Sequence, residues 1–177
     1  MSRPQIIKEA LEKKYGVSKF EVMHGMFSTL PIIEMKNDEK EVSYIVPQAK
    51  TIQHANKNFK LTFSVGVTGE LLKSADDIKF SLSTSNAKDP TLRRIFASSI
   101  PEENISKIGR GFEMMAEIAD LNFEENTKLT LRVEAIFNDE ELINMVNEKL
   151  NKNEKPIEKS LIFSTIAARM LVIVEED

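Results

Sequence analysis

Phe59-Lys60-Leu61-Thr62-Phe63-Ser64-Val65-Gly66-Val67 and Leu129-Thr130-Leu131-Arg132-Val133-Glu134-Ala135-Ile136-Phe137 are the stretches that decide how this chain folds. Every odd position in both is apolar, and every even position except Ile136 is polar or glycine. Side chains of an extended strand alternate between its two faces, so a period of two predicts one apolar and one polar face. A sheet built this way has to cover its apolar face.

Neighbouring segments extend the pattern. Ile78, Phe80 and Leu82 alternate after a polar connection opened by Gly69, which predicts an antiparallel partner for 59–67. Phe112, Met114, Ala116 and Ile118 alternate before the polar stretch Asn122 to Lys128, which predicts a second hairpin with 129–137. Phe20 to Phe27 and Val42 to Val46 read as two more strands, with the charged run Lys36 to Glu41 between them and Pro47 closing the second.

Helical spacing occurs at both ends. Ile6, Ile7, Ala10 and Leu11 fall on one face of a helix from Pro4 to Tyr15, with Pro4 in the first turn and Gly16 as its stop. Asn138 with Glu141 three residues on, followed by Leu142, Met145, Val146 and Leu150, predicts a helix from 139 to 150 capped by Asn138. Asn151 to Lys159 reads as a charged linker. The last segment carries two signals: Phe163, Ile166, Ala167, Met170, Leu171 and Val174 fill a helical face, whereas Val172-Ile173-Val174 is a β-branched run. Helix is the expectation. Ser83 to Gly111 reads as an irregular excursion with one turn of helix at Ile105 and Ile108. The expected fold is therefore α+β, a single domain over 1–177, with an antiparallel sheet of about six strands, a short N-terminal helix and two C-terminal helices on one face.

The chain has 177 residues, 41% hydrophobic and 29% charged, a globular balance and not that of a disordered segment. Its formal charge of −4 argues against nucleic acid as a partner, since binding phosphate backbones needs a cationic surplus; the stretch with Lys149, Lys152, Lys155 and Lys159 would be the exception. There is no cysteine, which excludes disulfides, thiolate metal sites and cysteine nucleophiles and fits a reducing compartment. Met1 to Gln5 lead into a polar helix pattern, and the apolar stretch 161–174 is interrupted by Ser164, Thr165 and Arg169. No secretory signal and no membrane span are expected, and the cytoplasm is the expected location.

Few residues invite chemistry. His24 and His54 lack the spacing of a metal or acid–base cluster, so structural or surface roles account for them, and neither a metal nor a cofactor is expected. Ser81, Ser83, Thr84, Ser85 and Asn86 are rich in polar side chains, without the Gly-x-Ser-x-Gly turn of an activated serine. Gly109-Arg110-Gly111 is a candidate anion-binding turn, because glycines let N–H groups converge and arginine adds a two-pronged donor; a plain turn is the simpler reading. Arg93-Arg94 reads as a solvated pair. Asp76-Asp77, Glu102-Glu103, Glu124-Glu125 and Asp139-Glu140-Glu141 are explained by loop solvation and helix capping. Met23, Met26, Met114, Met115 and Met170 suit either core filling or an adaptable binding surface.

The order from 112 onward is similar to that of the SecB-type export chaperone family: strand, turn, a strand ending in Val133-Glu134-Ala135-Ile136-Phe137, an acidic helix, then an apolar segment. Lys155 to Phe163 resembles the start of that family's long helix, and Phe59 to Gly69 fits its antiparallel sheet. The resemblance implies a cytoplasmic oligomer that holds non-native or extended polypeptides in apolar grooves without ATP. The functional expectation is thus a non-catalytic module, chaperone-like or adaptor-like, that binds other polypeptides through Phe163, Ile166, Met170 and Leu171 and self-associates. The competing expectation is a small-ligand or anion-binding domain using Arg110, Arg93 and the hydroxyls near Ser83.

Overall fold

The computed structural model describes residues 1–28, 33–36, 42–45, 51–54, 59–100 and 112–174. Helix α1 (Arg3–Tyr15) opens the chain. Its start is fixed by Pro4 and by the Gln5 side chain, which accepts the Ser2 N–H at 3.0 Å, and its end by Gly16 in the left-handed region at φ 73°. Ile6, Ile7, Ala10 and Leu11 face inward, as their spacing requires.

Ten strands follow among the described residues: β1 (Glu21–Ser28), β2 (Ile33–Lys36), β3 (Val42–Ile45), β4 (Thr51–His54), β5 (Phe59–Thr68), β6 (Asp77–Asn86), β7 (Arg93–Ser99), β8 (Phe112–Leu121), β9 (Thr127–Phe137) and β10 (Leu161–Val174). Helix α2 (Leu71–Ser74) joins β5 to β6, and α3 (Glu140–Asn147) precedes β10. The strands form a three-stranded sheet β1-β5-β8, a five-stranded sheet β4-β10-β9-β6-β7 and the small pair β2-β3. About six strands in one sheet is therefore an undercount, although the α+β class and the antiparallel character stand, apart from the parallel pairing of β4 with β10.

The two long strands are placed correctly but paired differently from expectation. β5 lies between β1 and β8, and β6 lies between β7 and β9. Neither 59–67 with 78–82 nor 112–118 with 129–137 forms a hairpin. Leu71 and Leu72 of α2 are fully buried, so the connection after β5 is itself part of the core and carries the chain from one sheet to the other. β7 is a strand inside the expected excursion. It is an edge strand with mostly exposed side chains, so burial imposed no alternation on its sequence. The expected helical turn at Ile105 and Ile108 lies outside the described residues, as does the charged run 37–41.

The expected C-terminal helix is strand β10, fourteen residues long and antiparallel to β9. Its register shifts between Ile166 and Ala168, a bulge at Ala167. Before the bulge Leu161 and Phe163 point inward; after it Met170 and Val172 do. A switch from odd to even positions within one strand mimics a helical repeat, and that switch produced the apparent helical face.

Two further local corrections concern α3. Its N-cap is Asp139, whose Oδ1 accepts the Leu142 N–H at 3.0 Å, and its helical residues end at Asn147. Asn138 instead donates its N–H to Asp76 Oδ2 at 2.7 Å and accepts from Ser160 Oγ at 2.7 Å.

The sheets share one core. Phe63 of β5 meets Phe96 of β7 with ring centroids 5.9 Å apart, and Phe20 meets Phe163 at 5.6 Å. β1 approaches β10 so closely that a Cβ on Gly25 would stand 2.3 Å from the Ala167 carbonyl oxygen, at the bulge itself. Only glycine fits there. Both faces of β5 are buried from Leu61 to Val67, including Thr62 and Ser64, so its polar face is not a solvated one. Thr62 Oγ1 donates to the Ser28 carbonyl at 3.1 Å.

Candidate functional site

The five-stranded sheet has one face in the core and one face outward. Pairing registers line up the outward positions in rows across the strands: Ile162 beside Ile136, Ser164 beside Glu134, Ile166 beside Arg132 and Ser81, Arg169 beside Thr130 and Ser83, and Leu171 beside Lys128 and Ser85. Arg94 of β7 reaches Glu134 of β9 at 3.2 and 3.3 Å. The guanidinium has to cross β6 to do so, past the small residues Ser81 and Ser83, both at most 5% exposed, while Lys79 of β6 stands opposite Glu134 in the register. The hydroxyl-rich segment is thus the small-residue bed of an ion pair. Glu134, 7% exposed, has its charge balanced by Arg94.

Below that pair the face opens into a cleft of about 440 Å³. Lys128, Arg132 and Arg169 border it; Lys128 and Arg132 flank Thr130 on β9, and Arg169 lies opposite Thr130 on β10. Ser85 contributes a hydroxyl, and Leu92 and Leu171 supply apolar walls. None of the three cations forms an ion pair among the described residues, where all the charge pairs lie elsewhere. Arg169 thus stands diagonal to both Lys128 and Arg132, which puts charge of one sign around Thr130. Converging donors on a partly apolar cleft of this size suit an anionic ligand.

The residues expected from sequence are distributed differently. Gly109, Arg110 and Gly111 lie outside the described residues. Phe163 and Met170 are 7% and 3% exposed and belong to the core, whereas Ile166 and Leu171 are each 38% exposed on the outward face, with Ile162 at 48%. The four do not share a surface, because a strand with a bulge replaces the helix that would have aligned them. Arg93 lies on β7, where its carbonyl accepts from Thr84 Oγ1 at 3.4 Å. His24 and His54 lie on β1 and β4, and Met23 is exposed on β1. Glu125 pairs with Lys88 at 3.5 Å, and Asp77 with Lys79 at 3.6 Å. No three His, Asp or Glu side chains among the described residues come together as a metal would need.

A second polar cluster joins α1 to α3. Lys14 Nζ stands 2.7 Å from Asp139 Oδ1 and 2.6 Å from Glu141, and the Tyr15 hydroxyl donates to Asp139 Oδ2 at 2.7 Å. The Lys14 ammonium, aided by the Leu142 N–H and the Tyr15 hydroxyl against the cost of burial, lowers the Asp139 carboxyl to about 2. Burial first, and then the Asp139 hydrogen bond, raises the Tyr15 phenol to about 12. The Tyr15 ring stacks on Phe137 at 5.7 Å. Every partner in this cluster is satisfied, so it reads as a clasp between helices.

The cleft was partly readable in advance. Lys128 and Arg132 stand on the polar face of a strongly alternating strand, but nothing in the sequence placed Arg169 beside them. No helix among the described residues is long and apolar enough to cross a membrane. The chain matches no known family model, and no curated protein is similar to it in sequence.

Proposed function

We propose that this protein is a non-catalytic binding protein that takes up an anionic ligand in the cleft of Lys128, Arg132 and Arg169. The observation that carries this reading is three cations around one threonine, without a carboxylate of their own among the described residues, on a chain whose formal charge is −4. Local charge of one sign attracts and orients an opposite charge, and Arg adds planar, two-pronged hydrogen bonding to carboxylate or phosphate.

A second reading, a holder or adaptor for other polypeptides like the SecB-type chaperones, is favoured by Ile162, Ile166 and Leu171 on the same outward face. The cytoplasmic location and the self-association expected from sequence belong to this proposal; light scattering on wild type and Ile166→Glu tests the latter.

Thermal melts with inorganic phosphate, citrate and tripolyphosphate test the cleft. A ligand that binds only the native state raises its melting temperature. The expected result is a rise for at least one anion that vanishes when Arg132 and Arg169 are both changed to Gln. Equal shifts in wild type and variant, or none in either, would sink the proposal.

A further inference from the structure

We infer that the anion held in the cleft is carried by an extended polypeptide, an acidic segment with apolar residues beside its carboxylates. This rests on the anion-binding reading of the cleft and names its partner. From Leu171 to Ile162 the outward row of β10 runs about 30 Å at the rise of an extended chain. That is far longer than a free phosphate or citrate. Along it Leu171, Ile166 and Ile162 remain 38%, 38% and 48% exposed, and Arg169 and Arg132 stand between and beside them. Large aliphatic side chains lined up with cations that have no carboxylate partner among the described residues form an apolar strip with cationic punctuation.

Charge complementarity selects the occupant. A small anion satisfies Arg132, Arg169 and Lys128 but leaves the isoleucines in water, whereas a purely apolar segment covers the isoleucines and desolvates three unbalanced cations, which is costly. A segment that carries both acidic and apolar side chains on one face, at every second residue, does both. An extended peptide has the same residue spacing as β10, so its side chains fall in step with the rows beneath.

The experiment is fluorescence anisotropy with a labelled nine-residue peptide that carries Leu and Glu in turn at its odd positions and Ser at its even ones, beside its Gln-for-Glu counterpart, with inorganic phosphate and citrate as competitors. The Glu peptide should bind at least tenfold tighter than the Gln peptide and weaken with salt. Ile162→Ser together with Ile166→Ser should weaken it several-fold, while leaving any phosphate-induced rise in melting temperature intact. Arg132→Gln with Arg169→Gln should abolish both. Phosphate or citrate binding as tightly as the peptide, with no effect of the Ile162 and Ile166 changes, would overturn the polypeptide inference and leave the anion cleft standing. Absence of binding by peptide and small anions alike would remove both.

Discussion

The two faces of the five-stranded sheet are made by the same strands and obey different physics. On the inward face Phe80, Leu82, Leu131 and Val133 are fully buried and meet the β1-β5-β8 sheet. On the outward face, one residue away along each strand, lie Ser81, Arg132 and Glu134. Inward packing is over-determined, since each side chain has neighbours on every side. Outward, an ion pair rests on serines and a cluster of cations has no carboxylate partner among the described residues. Stability resides on the first face, and recognition is free to use the second.

Adjacent residues of β9 give the sharpest test of this contrast. Val133→Asp should leave no cooperative melt, because an unpaired charge in the core costs more than about 4 kcal/mol. A near-wild-type melt from Val133→Asp would mean the faces are reversed. The next largest effect belongs to the crossing of β1 over β10: Gly25→Ala pushes a methyl into the Ala167 carbonyl and should cost about 3 kcal/mol in denaturant titration. A loss under about 0.5 kcal/mol would show that the bulge can yield.

The clasp beside the sheet is weaker and depends on pH. Asp139 lies lower in the folded protein, at about 2, than its ordinary 3.8, so it stabilises the fold above the ordinary value. That contribution, about 1–2 kcal/mol, should fade as pH falls from about 4 towards 2. Tyr15 lies higher when folded, so its share is present below its ordinary 10.0 and fades as pH rises towards about 12. Asp139→Asn should flatten the acid limb of a stability profile; an unchanged acid limb would remove the clasp from the account.

On the outward face Glu134→Gln should cost about 1 kcal/mol, because Arg94 keeps a neutral acceptor in place of a charged one. A cost like that of Val133→Asp would show the outward face to be a second core. Smallest of all, Arg169→Gln without any anion present should fall within about 0.5 kcal/mol of wild type, or stabilise slightly by relieving repulsion with Lys128 and Arg132. A clear destabilisation there would reveal a partner for Arg169 and weaken the case for a ligand.

What the sequence determined by itself is local. Alternation in 59–67 and 129–137 specified two strands and their inward residues, and the Pro4, Gly16 and Leu142-Val146 signals specified two helices, because backbone periodicity acts on neighbouring residues. What only the tertiary structure decided is which strand lies beside which. Partner choice depends on contacts between residues far apart in sequence, and nothing within β5 or β6 records that α2 carries the chain from one sheet to another. The bulge at Ala167 is of the same kind: it disguised a strand as a helix, and it packs against Gly25 of a distant strand, a contact that nothing in the segment itself records. The cleft follows from both. Lys128 and Arg132 share a face by alternation alone, but Arg169 joins them only through the pairing of β10 with β9 past that bulge.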